Sequence, residues 1–397
     1  MNMQMKMICF ALLLLLTSSA GAQTDIFRII KYETISDGDI TEALRNAWQD
    51  ACASTTPNKI LVPEGRYTLK QIEFRGPCMA PIEVQIDGTI EASPDPSQFD
   101  RNVPWVSFNY INFFTLSGAG TFDGRGALAW KQNDCATNKH CKRLSMNFDF
   151  GFLINSVIRD ITSKDSKNFH INVVGCNNLT FTNMNIIAPQ TSLNTDGIHI
   201  GRSSQINVMN TRIATGDDCI SLADGSTQIN VLNVTCGPGH GFSVGSLGKY
   251  PREKPVSGFT VKNCTLNNTQ NGVRIKTWPN TPVNITVTDI TFEDITMINV
   301  NNPIIIDQEY CPWNQCTGKG PSNIRISEVV FKNITGTSAS RNGVTIICSS
   351  SVPCEYLEFD NVFLTFKGTF ASAKLANVRH IILRRLPPLL KWLMRRP

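Results

Sequence analysis

Residues able to carry acid–base chemistry are concentrated between Asn194 and Lys276. In chain order this stretch contains Asn194-Thr195-Asp196-Gly197, Gly216-Asp217-Asp218-Cys219, Gly239-His240-Gly241 and Arg274-Ile275-Lys276. Three carboxylates are suited to hydrolysis of a glycosidic bond, in which one acid protonates the leaving oxygen and one base activates water. Arg274 and Lys276 alternate with Val273 and Ile275. In a strand both cations would therefore point to the same face, where they would suit a substrate carboxylate.

Each of these motifs also has a structural interpretation. Asp beside Gly is favoured in turns, so any one of the three Asp motifs alone would be interpreted as a turn. His240 between two glycines fits either a turn or a close approach of a ligand to the backbone. Tyr310 would either stack on a sugar or lie in the interior. We interpret His140, His170 and His199 as structural, and we favour a site because the carboxylates and cations occur together.

Short apolar runs of one shape accompany the motifs and recur along the chain. Their central residues form one series: Phe169, Ile198, Ile220, Phe242, Val273, Ile304 and Val344. A second series follows the first: Leu179, Ile206, Ile229, Phe259, Ile285, Ile324 and Leu357. A third series consists of the pairs Met184/Ile186, Thr211/Ile213, Cys264/Leu266, Ile290/Phe292 and Val362/Leu364. Alternation of apolar and polar residues, rich in Val, Ile, Thr and Phe, is typical of short half-buried strands.

Three short strands in each repeat predict a coil that buries its apolar face only against neighbouring coils. The predicted fold is therefore all-β, a right-handed parallel β-helix (a solenoid). A β-propeller also repeats strands, but its blades need tight hairpins and a longer, steadier period. Helical apolar spacing over residues 41–53 predicts an N-terminal capping helix. Five asparagines before the third series fit either left-handed turns with stacked amides or ordinary surface loops: Asn183, Asn210, Asn233, Asn263 and Asn361.

Stacking has a geometric consequence for the chemistry. Equivalent residues of successive coils lie about 4.8 Å apart. Asp196, the pair Asp217 and Asp218, His240, and the cations of the fourth coil would therefore gather on one patch. Carboxyl groups roughly 5 Å apart are associated with retention of configuration, and a separation of roughly 6.5 to 9.5 Å with inversion. The sequence leaves this separation open.

The N-terminus has the composition of a secretory signal over residues 1–22. Lys6 is followed by an apolar run from Ile8 to Leu16, and small residues at 20–22 suit cleavage. A catalytic domain at residues 23–370 and a basic tail at residues 371–397 are predicted to follow. We expect a secreted, extracellular protein, and six Asn-x-Ser/Thr sequons fit this expectation: Asn178, Asn233, Asn263, Asn267, Asn284 and Asn333.

Thirteen cysteines, of which Cys9 lies in the signal, leave an even number suited to an oxidising compartment. Close spacing suggests Cys135 with Cys141, Cys311 with Cys316, Cys348 with Cys354, Cys219 with Cys236 and, more loosely, Cys52 with Cys78. Cys176 and Cys264 are predicted to be buried thiols. No cysteine pair has the spacing of a zinc site, so no metal is predicted. The net charge of +5, without a basic stripe, predicts no nucleic-acid partner. We expect a monomer without a membrane partner or a cofactor.

The four motifs, in this order, resemble those of the polygalacturonase family of glycoside hydrolases. The longer stretch from Leu193 to Trp278 is most similar to plant exopolygalacturonases of the pollen type, and the likeness extends to about Phe370. The resemblance implies metal-independent, inverting hydrolysis of α-1,4-galacturonosyl bonds in de-esterified pectin (polygalacturonate). Relatives carry a cysteine near the position of Leu375 and another close to the terminus. Both are absent here, which puts the stability of the last coil in doubt.

The resemblance also implies roles for individual residues. Asp217 would be the general acid, while Asp196 and Asp218 would activate water. His240 would support protonation of the acid or orient it.

On the substrate side, Arg274 and Lys276 would hold the galacturonate carboxylate. Tyr310 would lie near the site, and Asn194 would position neighbouring groups.

The mode of action and two other functions stay open at this point. Exo and endo action depend on loops that close one end of the groove, and residues 246–256 form a candidate insertion. A pectate lyase, also a β-helix, would use calcium and an Arg base. A catalytically silent pectin-binding protein of the cell wall is disfavoured because all three carboxylates are intact.

Overall fold

The computed structural model of the protein describes residues 24–32, 38–100, 103–135, 137–138, 141, 144–314, 316, 318 and 320–387. The predicted secretory signal lies outside these residues. The described residues include helices α1 (Thr41–Ala53) and α2 (Ala127–Gln132). The strands are β1 (Asp25–Arg28), β2 (Asn58–Val62), β3 (Arg66–Thr68), β4 (Ile72–Arg75), β5 (Ile82–Ile86), β6 (Thr89–Glu91), β7 (Val106–Asn109), β8 (Phe114–Ser117), β9 (Thr121–Asp123), β10 (Phe148–Gly151), β11 (Ile154–Arg159), β12 (Thr162–Lys164), β13 (Ile171–Val174), β14 (Asn177–Thr182), β15 (Asn185–Ile187), β16 (Ile198–Gly201), β17 (Ser204–Met209), β18 (Arg212–Ala214), β19 (Ile220–Leu222), β20 (Thr227–Leu232), β21 (Thr235–Cys236), β22 (Phe242–Leu247), β23 (Val256–Asn267), β24 (Asn271–Thr277), β25 (Thr286–Val300), β26 (Asn302–Asp307), β27 (Arg325–Ser338), β28 (Asn342–Ile347), β29 (Cys354–Phe366), β30 (Thr369–Phe370), β31 (Ser372–Ala376) and β32 (Val378–Arg384).

Successive coils contribute one strand each to a sheet of eleven strands, in the order β4-β7-β10-β13-β16-β19-β22-β24-β26-β28-β31. The other strands form a second, larger sheet. In the eleven-strand sheet Ile198 pairs with Ile220, Ile220 with Phe242, and Phe242 with Val273, all in parallel. This register confirms the predicted equivalence of these four residues. Parallel strands joined by right-handed connections make the molecule a right-handed parallel β-helix, as predicted.

The core is one apolar column that runs through the coils. Phe292, Phe331 and Phe359 occupy equivalent places, and their rings stack with centroid distances of 5.5 and 4.9 Å. Burial of one such side chain contributes roughly 1.5–3 kcal/mol. A single coil offers no second apolar surface, so each coil depends on its neighbours for this burial.

Helix α1 covers the N-terminal end of the column and confirms the capping helix. Asp39 Oδ1 accepts a hydrogen bond from the backbone N–H of Thr41 at 2.9 Å, at the start of the helix. Trp48 packs on Phe74 of β4 with a centroid distance of 5.0 Å. The apolar face of α1 therefore ends the stack of coils and shields it from water.

The predicted disulfides are all present: Cys52–Cys78, Cys135–Cys141, Cys219–Cys236, Cys311–Cys316 and Cys348–Cys354. Cys176 and Cys264 are free and buried, as predicted. Burial raises the pKa of the Cys176 thiol to about 12 and that of Cys264 to about 11. Both thiols stay protonated and behave as small apolar side chains.

The asparagines before the third series adopt left-handed turns. All five have a positive φ, from +50° to +56°. Asn233 Nδ2 donates to Asn210 Oδ1 of the preceding coil at 2.8 Å. The interpretation as stacked turn amides is confirmed for this pair, and it explains why a residue tolerant of left-handed geometry recurs.

Part of the predicted register is wrong. Ile171, and not Phe169, pairs with Ile198. Ile290, which was assigned to the third series, pairs with Phe259 of the second. Alternation with a period of two fixes which face a side chain occupies, and the shift by two residues at Phe169 leaves this face unchanged. Strands β23, β25 and β27 are also long enough to merge the second and third series.

Strand pairing continues beyond residue 370, where the sequence predicts the tail to begin. Strand β31 pairs with β28, and β32 pairs with β29. Arg385 then forms an ion pair with Asp360, with Nε 2.7 Å from Oδ1. Residues 388–397 lie outside the described part of the chain. Neither α1 nor α2 is long and apolar enough to cross a membrane.

Candidate active site

The predicted site residues meet at one edge of the eleven-strand sheet. Asp196, Asp217 with Asp218, and His240 lie in the segments that precede β16, β19 and β22. Backbone hydrogen bonds join these segments, from Gly197 N–H to Asp218 O at 2.8 Å and from His240 N–H to Asp217 O at 2.7 Å. Strand β24 adds its two cations in the next coil. Motifs from four coils thus form a single patch.

Asp218 is the centre of a buried ion cluster, with 1 % of its surface exposed. Its Oδ1 accepts from Arg274 Nη2 at 2.6 Å and from Ser243 Oγ at 2.9 Å, and its Oδ2 accepts from Lys276 Nζ at 2.8 Å. Burial alone would raise the pKa of Asp218. Arg274 and Lys276 outweigh burial and lower this pKa to about 2. Asp218 is therefore ionised at any ordinary working pH.

Asp196 has the opposite electrostatic environment. It is buried, and its Oδ2 accepts a hydrogen bond from Ser221 Oγ at 2.8 Å. Burial, followed by the negative charges of Asp217 and Asp218, raises the pKa of Asp196 well above its usual value. Lys276 and the Ser221 hydrogen bond act in the other direction. Asp196 therefore has a raised proton affinity.

Asp217 is the most accessible of the three carboxylates, with 26 % of its side chain exposed. His240 Nδ1 lies 2.9 Å from its Oδ1. The same oxygen accepts the backbone N–H of Asp218 at 2.8 Å. A carboxyl group at this depth can reach both a bound substrate and solvent, which a proton donor requires.

Arg274 and Lys276 are themselves nearly buried, with 9 % and 7 % exposed. Arg274 Nε donates to Ser243 Oγ at 2.9 Å, and Lys276 Nζ lies 5.3 Å from the ring centre of Tyr310. Tyr310 in turn packs edge-on against Trp278 at 6.0 Å. The cations predicted to bind substrate thus also hold Asp218, and Tyr310 borders the cluster.

Asn194 lies at the rim of the patch and is exposed. It has a φ of +57°, and its Nδ2 donates to Asn168 Oδ1 of the preceding coil. Its neighbour Thr195 is buried and accepts the backbone N–H of Gly216 through Oγ1 at 3.0 Å. The motif around Asp196 therefore anchors the next carboxylate-bearing loop.

Ser221 and Ser243 were not singled out from the sequence. Ser221 and Ser243 hydrogen-bond two of the carboxylates, and His199, interpreted as structural, lies with Nδ1 2.7 Å from Ser221 Oγ. The signal was present in the runs Gly-Ile-His-Ile, Cys-Ile-Ser-Leu and Gly-Phe-Ser-Val, whose polar residues are equivalent in the repeat. Equivalence with Arg274 on β24 would have placed them on the catalytic face.

Asp217, Asp218 and His240 each offer one possible metal-ligand atom, and these atoms lie within 4.8 Å of one another. Both oxygens of Asp218 already contact cations. A divalent ion there would be repelled by Arg274 and Lys276. The donor set therefore favours acid–base chemistry over a metal centre.

A family model described as "Glycosyl hydrolases family 28" matches residues 52–382. A polygalacturonase of Medicago sativa is 53% identical over 379 residues, which cover 94% of this chain and 90% of the relative. An exopolygalacturonase of Oenothera organensis is 51% identical over 347 residues, which cover 87% of this chain and 95% of the relative.

Solved structures have the same fold. An exopolygalacturonase from Thermotoga maritima superposes with a TM-score of 0.74 at 18% identity, covering 91% of this chain and 93% of the other. A polygalacturonase from Erwinia carotovora gives a TM-score of 0.70 at 21% identity, covering 90% and 97% of the two chains. At these identities the likeness establishes the β-helix alone.

Proposed function

The chain belongs to glycosyl hydrolase family 28, and we propose that it is a secreted polygalacturonase that hydrolyses α-1,4-galacturonosyl bonds of de-esterified pectin from chain ends. The observation that carries this proposal is the patch in which Asp196, Asp217 and Asp218 lie beside two buried cations. Relatives about half identical to this chain carry the names polygalacturonase and exopolygalacturonase. A pectin-binding protein without activity would have no need for three carboxylates gathered in one patch.

Asp217 is the general acid of the proposed mechanism. Its proton passes to the glycosidic oxygen as the bond from that oxygen to the anomeric carbon breaks. His240, 2.9 Å away, orients the carboxyl group. The accessible position of Asp217 allows it to be reprotonated from solvent after each turnover.

Asp196 and Asp218 activate the attacking water. A carboxylate with a raised pKa is the stronger base, so Asp196 takes the proton while Asp218, held ionised, accepts a hydrogen bond from the same water. Water attacks the face of the sugar opposite the leaving oxygen, and the configuration at the anomeric carbon inverts.

The cations supply the preference for a free carboxylate on the substrate. A guanidinium has five N–H donors and an ammonium three, and the contacts with Asp218 and Ser243 use two donors of Arg274 and one of Lys276. Asp218 is the carboxylate in direct contact with both cations, and their remaining donors can bind a second carboxylate. A galacturonate carboxylate is attracted there, whereas a methyl ester is not.

Action on chain ends is tested by the early products of polygalacturonate digestion. Release of monomer from the first minutes supports exo action, and a ladder of oligomers supports endo action. The variant D217N, purified in the same way, is the control for contaminating hydrolases. An unsaturated, ultraviolet-absorbing product would instead indicate a lyase and would refute hydrolysis.

Secretion is tested separately, by expression of the full chain in a plant cell culture. N-terminal sequencing of protein recovered from the medium is expected to begin near Gln23. The five disulfides favour this compartment, because such bonds persist under oxidising conditions. Retention of the uncleaved chain inside the cells would refute it.

A further inference from the structure

Each of the two buried carboxylates of the site is held by a serine from the strand beside it. Ser221 Oγ donates to Asp196 Oδ2 at 2.8 Å, and Ser243 Oγ donates to Asp218 Oδ1 at 2.9 Å. Ser221 on β19 and Ser243 on β22 are paired positions of neighbouring strands. The same arrangement therefore occurs twice, one coil apart.

A third group completes each arrangement. Arg274 Nε donates to Ser243 Oγ at 2.9 Å, and His199 Nδ1 lies 2.7 Å from Ser221 Oγ. A serine hydroxyl has one proton, which goes to the carboxylate. Ser221 then accepts from His199, so the imidazole carries its proton on Nδ1. One chain of hydrogen bonds begins at a guanidinium and the other at an imidazole.

His199 is held in place for this contact. On β16 it pairs with Ser221 on one side and with Asn172 of β13 on the other. Its ring packs on Phe169 with a centroid distance of 4.8 Å. Packing on Phe169 limits rotation of the ring and keeps Nδ1 directed at Ser221.

We propose that His199 and Ser221 are positioning residues that hold Asp196 as the base of the reaction. The proposal rests on the hydrolytic function proposed above. Ser221 fixes one oxygen of Asp196 and stabilises its ionised form, and His199 fixes the direction of the Ser221 hydroxyl. The other charged groups that act on Asp196 are Asp217 and Asp218 from the segment before β19, which favour its protonation, and Lys276 of β24, which opposes it.

The first test is the pH dependence of kcat/KM for S221A on polygalacturonate. Loss of a hydrogen bond to a charged group is worth roughly one to two pKa units. Because the lost bond favours the ionised form, the acidic limb of the profile moves to higher pH by about one unit. S107A is the matched control. Ser107 is a buried, outward-facing serine of β7 in the same sheet. We expect the S107A variant to keep the acidic limb of the wild type.

Two substitutions of His199 separate hydrogen bonding from packing. H199F keeps a ring against Phe169 but has no donor, and we expect the acidic limb to move in the same direction as for S221A. H199N loses the ring but places an amide N–H close to the position of Nδ1, and we expect a limb near that of the wild type. A limb that moves in H199N and stays in H199F would overturn the proposal.

The outcomes distinguish this proposal from the one on which it rests. A wild-type protein that releases no reducing sugar from polygalacturonate refutes the proposed function. An active wild type whose acidic limb is unchanged in both S221A and H199F refutes the positioning role alone. Thermal denaturation identifies variants that fail to fold. If S221A is one of them, the acidic limbs of H199F and H199N test the positioning role instead.

Discussion

Substitution of the adjacent residues Asp217 and Asp218 is expected to abolish activity in both cases but to lower stability strongly at Asp218 only. Replacement of either by Asn removes a carboxylate that the proposed reaction uses. D218N also removes the only ionised carboxylate in direct contact with Arg274 and Lys276 within the described residues. We therefore expect both variants to be inactive and D218N alone to be strongly destabilised.

The magnitude follows from the burial of the cluster. The pKa of Asp218 lowered from 3.8 to about 2 corresponds to about 2–3 kcal/mol of stability at neutral pH, at about 1.4 kcal/mol per pKa unit. Removal of one member of a buried ion pair costs about 3–5 kcal/mol, since it leaves the partner charge uncompensated. We expect D218N to lose about 2–5 kcal/mol. Asp217 is partly exposed, and D217N is expected to lose less than about 1 kcal/mol.

The lowered pKa of Asp218 also fixes the direction in which its contribution to stability changes with pH. A lowered pKa contributes stability that is fully present above the pKa of the unfolded chain and is lost as the pH falls through the folded value. The difference between wild type and D218N should therefore be constant above about pH 4 and shrink toward pH 2.

Urea denaturation of wild type, D217N and D218N from about pH 2 to pH 7 measures these differences. D160N is the control, because Asp160 pairs with Arg159 at the surface, with 37 % and 44 % of the side chains exposed. Such a pair contributes about 0–1 kcal/mol. Equal destabilisation of D217N and D218N, or a D218N variant as stable as D160N, would refute the buried-cluster argument.

Three further predictions concern the reaction. D217N is expected to lower kcat by about 10²–10⁴-fold or more, as expected for loss of a general acid, with little change in the denaturation midpoint; near-normal turnover would remove Asp217 from this role. Proton NMR of the first product is expected to show the inverted anomer, and the retained anomer would indicate a covalent intermediate on one carboxylate. Exhaustive treatment with EDTA is expected to leave the rate unchanged, since Arg274 and Lys276 occupy the place of a cation beside Asp218; an activity restored only by calcium would favour the lyase mechanism.

The assembly of the site could be predicted because the repeated apolar residues reveal which positions of successive coils are equivalent. Ile198, Ile220, Phe242 and Val273 are each preceded or followed by a charged motif, and their alignment alone places the motifs in successive coils. The same reasoning failed at Phe169, where no such motif marks the register. A shift by two residues keeps every side chain on its face, so the pattern does not detect it.

The directions in which the pKa values of Asp196 and Asp218 shift could not be predicted from the sequence. They depend on which carboxylate the two cations contact, and the sequence places Arg274 and Lys276 equally well beside any of the three. The structure directs both to Asp218, and the pKa of Asp196 is raised by its burial and by the two neighbouring carboxylates. The positioning role proposed for His199 was also beyond the sequence, because it depends on the direction of one ring nitrogen and one hydroxyl.

Asp217 and Asp218 show how stacking converts adjacent residues into different chemical groups. Asp217 meets His240 from the next coil and keeps access to solvent, whereas Asp218 lies beneath and meets the two cations of the coil after that. An isolated loop would expose both carboxylates to water. The different surroundings of the proposed proton donor and its ionised neighbour therefore arise from the coils that follow β19. The proposed activity depends on the register of β22 and β24 as much as on the carboxylates themselves.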